Sequence, residues 1–368
     1  MRRPQTVVRL DVALLLGLAI SSAVSAQAQA KQDAAASITI TRVPPPTVKP
    51  GPNSWGRIAG TVSGPDATLH KVVVYALGDI WYVQPFTAAP YTDIGEDGQW
   101  ETDTHGGLEY AALLVKSSYK PTATRAMLPG VDDEVLAIVR AEPGVPTRTI
   151  SFSGYEWTVK SSGRRVGPGP NHFSASTANV SVDEQGRLHL RITKADDRWL
   201  CAEVISRRSF GHGTYRFYVA APVETFDPNV VLGLFTWNDD AAYAHREIDI
   251  EFSKWGNAAK PTSAQFVVQP SNRPDHLERF DSPAGLTTAT CSFTWKKDAV
   301  AFRILKGHVT ALADPSLVVQ EWTFSGPGVP AAGGENARIN LWLLGGRDPK
   351  ASRETEVIIT NFEFEPLP

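Results

Sequence analysis

Hydrophobic and polar residues alternate along much of this chain. Leu188, Leu190 and Ile192 alternate with Arg187, His189 and Arg191; Tyr215, Phe217 and Val219 with Arg216 and Tyr218; Ile339, Leu341 and Leu343 with Asn340 and Trp342. Successive side chains of a β-strand point to opposite faces, so period two marks half-buried strands. Repeated through residues 148–368, it predicts one large all-β domain, a two-sheet β-sandwich. There is no internal repeat with a period of about 20–50 residues and no long amphipathic helix pattern. Residues 54–147 read as a smaller all-β module. Arg57–Val62 alternates, Lys71–Tyr75 and Ala111–Val115 are apolar runs suited to buried strands, and Gly95–Gly98 is a turn leading into Gln99–Glu101. Glu142-Pro143-Gly144-Val145-Pro146 marks the boundary between the two units. Residues 31–53 are rich in Ala, Thr and Pro, including Pro44-Pro45-Pro46, and read as an extended linker.

The first thirty residues break the pattern. Arg2, Arg3 and Arg9 precede an apolar run, Val12–Ile20, which is too short to span about 30 Å of hydrocarbon. Small residues follow, and Ala26-Gln27-Ala28-Gln29-Ala30 fits an A-x-A cleavage site. Residues 1–30 therefore read as a secretory signal peptide, and the processed chain is expected to be exported without a membrane span. Its removal takes the formal net charge from -3 to -5. With no basic excess to neutralise phosphates, nucleic acid is a poor partner. The 368 residues hold two cysteines, Cys201 and Cys291. Export permits a disulfide between them, but two buried thiols fit equally well. No C-x-x-C, H-E-x-x-H or Cys/His cluster signals a transition metal. Gly167-Pro168-Gly169-Pro170 is no phosphate loop, because its prolines lack N–H donors.

The most informative stretch is His245-Arg246-Glu247-Ile248-Asp249-Ile250-Glu251-Phe252. As a strand it puts Glu247, Asp249 and Glu251 on one face and Ile248, Ile250 and Phe252 on the other. Neighbouring anions disfavour ionisation, so such a row raises at least one pKa. Glycoside hydrolysis gives it a purpose. One carboxylate attacks the anomeric carbon or activates water, while a protonated carboxyl donates to the leaving oxygen. Retaining enzymes hold the two groups about 5–5.5 Å apart, whereas Cα atoms at i and i+4 of a flat strand are about 13 Å apart. The chemistry thus demands a curved strand with the acids on its concave side. Two other readings stand beside it: a Ca²⁺ site, short of oxygen ligands here, and a solvated strand face.

Glu-Ile-Asp-Ile-Glu resembles the active-site signature of glycoside hydrolase family 16, in particular its lichenase-like branch, which carries E-x-D-x-E. The flanks are similar too: Cys201-Ala202-Glu203-Val204-Ile205-Ser206, Ser209-Phe210-Gly211-His212-Gly213-Thr214-Tyr215, Val231–Trp237, Phe293-Thr294-Trp295, Ala301–Ile304 and Ile339-Asn340-Leu341-Trp342. The resemblance covers about residues 155–368. It implies a concanavalin-like jelly roll of two curved antiparallel sheets and a retaining mechanism, with Glu247 as nucleophile, Glu251 as general acid/base and Asp249 as helper. Glu203 matches a cleft residue of the family, Asn340 lies in its M-N-L-W-like strand, and Asn171 aligns loosely with a cleft Asn. The chain departs from the pattern in places. Ile205 stands where lichenases have a cleft Arg, Phe173 where they have the disulfide partner of the Cys201 position, and Gln269-Pro270 where an N-Y pair is expected.

Pyranose rings present apolar C–H faces that stack on aromatic rings. Trp342 and Trp237 are the candidate platforms, with Tyr243 and Trp255 flanking the acidic strand. Trp157, Trp199, Trp295 and Trp322 are assigned to core or rim, and His245 to a structural or cleft-edge place. In the small module, Trp55, Trp81, Tyr82 and Trp100 are candidates for a second sugar-binding face. The expectation is an exported, monomeric, endo-acting hydrolase of a β-linked polysaccharide, a β-1,3-1,4- or β-1,3-glucan. It needs no cofactor, though it is compatible with a structural Ca²⁺. Transglycosylation and lectin-like binding without turnover are the alternatives.

Overall fold

The computed structural model describes residues 36–367 except 47, 65, 146–147, 240, 260–262 and 311–313. The expected signal peptide, residues 1–30, lies outside the described residues.

The N-terminal module packs two small sheets. One pairs Ser37–Arg42 with Gly51–Ser63 and Gln99–Gly106. The other runs Thr124–Arg125, Trp81–Gln84, Lys71–Leu77, Tyr110–Val115, Val135–Ala141. Val72, Val74, Ala112 and Leu114 face the first sheet, with Ile38, Ile58 and Trp100 opposite. Val73, Tyr75, Leu113 and Val115 pack on the other side with Trp81, Tyr119 and Leu128. Burial on both faces explains why these strands read as continuous apolar runs.

Two expectations are corrected here. The segment read as a linker contains a strand: Ser37–Arg42 pairs antiparallel with Gly51–Ser63, Ile38 opposite Val62. Ile38 and Ile40 are buried, and their alternation with Thr39 and Thr41 was the strand signal beside the proline tract. Pro44–Pro46 merely leads the chain round to the partner strand. Trp81 and Trp100 are core residues, 5% and 3% exposed, because the two apolar layers of this module need large side chains. Of the four aromatics, only Trp55 and Tyr82 reach the surface.

The larger domain is a two-sheet curved β-sandwich, a jelly roll. One sheet runs Arg148–Phe152, Tyr155–Val159, Arg198–Ser209, Asn336–Leu343, Val230–Trp237, Ile248–Phe252, Ala264–Val268, Leu277–Phe280. The other runs Val180–Val182, Leu188–Ala195, Thr355–Pro366, Gly213–Ala220, Thr288–Trp295, Ala299–Lys306, Val318–Ser325. They join where Thr193–Ala195 pairs with Arg198–Leu200. The inward phase is the predicted one. Leu188, Leu190, Ile192, Tyr215, Phe217, Ile248, Ile250, Phe252, Ile339 and Leu341 are all fully buried. At roughly 1.5–3 kcal/mol for each large apolar side chain, this layer is the main force holding the sheets together. Aromatic pairs add shape: Tyr215 stacks on Phe293 at 4.7 Å and Phe266 on Phe302 at 4.9 Å.

Cys201 and Cys291 are both free and buried. Burial pushes the Cys201 thiol up to about 12 and the Cys291 thiol further up, so neither is nucleophilic. Phe173 stands opposite Cys201 in a short parallel pairing, the position at which the sequence resemblance placed the missing disulfide partner.

Candidate active site

If Ile248, Ile250 and Phe252 point into the sandwich, the residues between them point out of it. Cross-strand register then builds rows on the outer face of that sheet. One row runs Ile205, Arg338, Phe235, Asp249, Val267. The next runs Glu203, Asn340, Gly233, Glu251, Gln265, Arg279. Trp342 opposes Val231 one step further along. A cleft of about 1120 Å³ lies over these rows, lined among others by Glu247, Asp249, Glu251, Trp237, Trp255 and Trp342.

Glu247 sits just before the strand, where the chain turns sharply. Ala244, His245 and Arg246 have φ of 50°, 60° and 50°. Three successive non-glycine residues in the left-handed region are costly, about 1–3 kcal/mol each. The surroundings hold them in place. Thr236 Oγ1 donates to the Arg246 carbonyl at 2.8 Å, Arg246 Nε donates to the Ala331 carbonyl at 2.9 Å, and Gln269 N–H donates to the Glu247 carbonyl at 3.1 Å. Strain concentrated beside an acidic residue is typical of a functional site.

Burial raises the pKa of all three carboxyl groups, and neighbouring carboxylates add to the rise at Glu247 and Asp249. Burial, followed by the charge of Glu251, lifts Glu247 to about 8, against the pull of Arg338 and of a hydrogen bond with Asp249. Asp249 is pushed well above the usual carboxylate range by burial and then by Glu247 and Glu251. It therefore stays protonated and donates a hydrogen bond to Glu247. Burial lifts Glu251 to about 7, less than it otherwise would, because Gln265 Nε2 donates to Glu251 Oε2 at 2.7 Å and Arg279 lies near. Gln265 is itself oriented by Arg279 Nε, 3.1 Å from its Oε1. Gln269 Nε2 donates to Asp249 Oδ2 at 3.4 Å. Since the Glu251 charge lifts Glu247, the two titrate as a pair in two steps around neutral pH, and the steps belong to the pair and not to either residue. Such a site can hold an anion and a proton donor side by side.

Glu203 is fully buried. Its carboxylate meets Lys160 Nζ at 2.8 Å and Arg338 Nη1 at 3.3 Å, and accepts from Asn340 Nδ2 at 3.4 Å. Glu203 thus anchors its neighbours on the cleft floor, with its oxygens already partnered. Asn340 Oδ1 is buried without a partner and lies over Gly233, where a Cβ would be only 2.5 Å away. It is placed to accept a hydrogen bond from a ligand. Ile205 pairs directly with Arg338, so the neighbouring strand supplies a guanidinium beside the position where the lichenase pattern has its own.

Trp342 is half-buried in the cleft with Gly169 close against its ring, since a Cβ there would lie 2.6 Å from Cζ3. Trp237 lines the cleft, but one ring face is covered by His245, stacked at 4.1 Å and 6°. Trp255 lies at the cleft with Arg279 5.8 Å from its ring centre, and its indole N–H is buried without a partner. Tyr243 is exposed, with the Arg246 guanidinium 4.1 Å from its ring centre.

Asn171 is a correction. It is 4% exposed, and its amide donates to the Pro168 and Leu343 carbonyls, both at 2.8 Å. It pins the loop that crosses beside Trp342 and is not among the cleft-lining residues, because its side chain is drawn to backbone acceptors that would otherwise lack partners. Sequence reading missed Arg338, Lys160, Gln265, Gln269 and Arg279. Arg338 could have been found from phase, two residues before Asn340 on the same strand face. The others depend on which strands pair.

No family model and no curated protein matches this chain. Solved structures similar to it include a Bacillus licheniformis β-glucanase, at 19% identity over 60% of this chain and 98% of that one, TM-score 0.43. A prokaryotic β-1,3-1,4-glucanase (lichenase) derived from a mouse hindgut metagenome is similar at 20% identity over 60% and 99%, TM-score 0.42. An immunostimulatory antigen and pseudo β-1,3-glucanase of Mycobacterium tuberculosis is similar at 18% identity over 58% and 91%, TM-score 0.44.

Proposed function

We propose that the protein is an exported, retaining endo-glycoside hydrolase acting on a β-linked glucan, without a cofactor. The observation that carries this reading is the acidic row itself. Asp249 and Glu251 share one face of the Ile248–Phe252 strand, Glu247 immediately precedes it, and all three line one cleft and hold protons more tightly than ordinary carboxyls.

The reacting state of the coupled pair carries its proton on Glu251, with Glu247 held as the anion by the Asp249 hydrogen bond and Arg338. In the first step, this ionised Glu247 attacks the anomeric carbon as the glycosidic C–O bond breaks. Glu251 gives its proton to the departing sugar oxygen, and a covalent glycosyl–Glu247 ester remains. In the second step, Glu251, now a carboxylate, takes a proton from water. The resulting hydroxyl attacks the same carbon and displaces Glu247. Asp249 keeps its proton throughout and hydrogen-bonds Glu247, which steadies the carboxylate before attack and as it leaves. Trp342 and Trp255 offer ring faces to pyranose units, and Asn340 Oδ1 accepts from a sugar hydroxyl. The choice of a β-1,3-1,4- or β-1,3-glucan follows from the E-I-D-I-E motif and its flanks.

The test is a panel of soluble polysaccharides incubated with the purified chain and with Glu247→Gln. The expected result is reducing-end release from a β-glucan, with oligosaccharides of mixed length, and none from the variant. Release into longer products when an oligosaccharide acceptor is added makes the protein a transglycosylase. Binding across the panel without any release makes it a lectin and overturns the enzymatic reading.

A further inference from the structure

The cleft has a wall that the larger domain does not supply. Glu109, Val131, Ile138 and Arg140 of the N-terminal module line it. Arg140 lies on the Val135–Ala141 strand. Its guanidinium is 5.3 Å from the Trp81 ring centre and 3.7 Å from Glu109 Oε1. From there it reaches across to Asp239 Oδ2 at 2.9 Å. Asp239 in turn accepts the Trp237 indole N–H at 3.4 Å. Burial would raise the Asp239 carboxyl, but Arg140, then Arg338, the indole and His245 together hold it below its ordinary value.

Other contacts tie the module down around the same cleft. Arg164 of the larger domain meets Glu109 at 3.4 Å and Glu142 at 3.6 Å. The Gly163 N–H donates to Glu142 at 3.1 Å, and Arg207 donates to the Ile38 carbonyl at 3.3 Å. Val131 occupies the space a Gly334 side chain would need, its Cβ 2.6 Å from where that Cβ would be. A module on a free tether would not fit against the larger domain at residues 163–164, 207, 239 and 334 at once.

We propose that the N-terminal module is a wall of the sugar-binding cleft, and that Arg140, acting through Asp239, fixes the Trp237 ring as the edge of the cleft on that side. This rests on the reading of the cleft as a glucan site. The chemistry suits a neutral sugar chain, whose hydroxyls meet Arg140 and Glu109 on this side while its C–H faces meet Trp342 and Trp255. Both partners of the Arg140–Asp239 pair are more than a third exposed, so the pair adds little to stability. Its consequence is where it holds the Trp237 loop. Arg140 is a positioning residue for that ring.

The test uses the full chain. Arg140→Met keeps the apolar stem over Trp81 and removes the charge. Hydrogen exchange of the Thr236–Asn238 amides is measured without ligand, and is expected to quicken several-fold in Arg140→Met and to stay near the parent's in the conservative Arg140→Lys chain, which keeps the cation and leaves Asp239 to accept the Trp237 indole. Unchanged exchange overturns the proposal whatever the substrate. Binding of glucan oligosaccharides, from disaccharide to hexasaccharide, is then titrated in the Glu247→Gln background. Adding Arg140→Met is expected to weaken the hexasaccharide about tenfold and the disaccharide little, and in the active chain to raise KM with kcat nearly unchanged. Normal hexasaccharide binding in Arg140→Met overturns the wall and leaves the hydrolase reading intact. No binding of any oligosaccharide by Glu247→Gln itself overturns the glucan reading, and the wall's role with it.

Discussion

Glu247, Asp249 and Glu251 cannot all be charged at neutral pH, and their chemistry follows from which of them is not. Asp249, the most deeply buried, keeps its proton for Glu247. Removing the attacking carboxylate with Glu247→Gln is expected to lower hydrolysis by about a thousandfold or more while the thermal midpoint stays near that of the parent. Glu251→Ala is expected to lose activity on polysaccharide but to keep much of it on aryl glycosides with good leaving groups, which need little protonation. Equal loss on both substrates argues against Glu251 as the acid. The same groups set a pH dependence of stability. Folded, the Glu247–Glu251 pair releases its two protons at about 7 and about 8; unfolded, both groups do so near their ordinary value of 4.5. The folded chain therefore binds more protons across that interval, and their contribution is full below about pH 4.5 and lost as pH rises toward 8. Between pH 5 and 8 the parent's melting temperature is expected to fall more than that of a Glu247→Gln/Asp249→Asn/Glu251→Gln chain. Parallel curves contradict the buried-proton picture.

Strands carry these groups in register, and register is where single changes have leverage. Gly233 stands between Glu251 and Asn340. In Gly233→Ala the new methyl would sit 2.5 Å from Asn340 Oδ1, and overpacking of this kind costs about 1–3 kcal/mol, readable by denaturant titration. Lys160→Met removes one of the cations holding the fully buried Glu203 carboxylate, and breaking a buried pair from one side costs about 3–5 kcal/mol. A loss below 1 kcal/mol contradicts the anchoring role. The faces of the strands were legible in the sequence because period two is local: Ile248 and Ile250 in, Asp249 and Glu251 out. The rows were not. Asn336–Leu343 sits between Arg198–Ser209 and Val230–Trp237, and no local pattern announces that Arg338 lies beside Ile205. Asn171 was misread for a related reason. A polar residue beside a Pro-Gly loop looks the same whether it serves a ligand or two backbone carbonyls. Ser37–Arg42 was hidden because its partner strand follows a proline tract, and composition there outweighed two buried isoleucines.

At the scale of the whole molecule, the two β-units divide the labour: one sheet of the jelly roll supplies the floor and its acids, and the smaller module stands at its side. Their joint cleft was not readable in the sequence, since the Arg140–Asp239 contact joins residues about a hundred positions apart. The most direct measurement on the full chain is trapping of the glycosyl intermediate that the proposed mechanism requires. A glucoside with fluorine at C2 and a good leaving group slows the second step and leaves the sugar on the nucleophile. Peptide mass spectrometry is expected to find the added sugar on Glu247, with no label in Glu247→Gln. A label on another residue, or turnover of a β-glucan that forms the inverted anomer with no label at all, would contradict attack by Glu247.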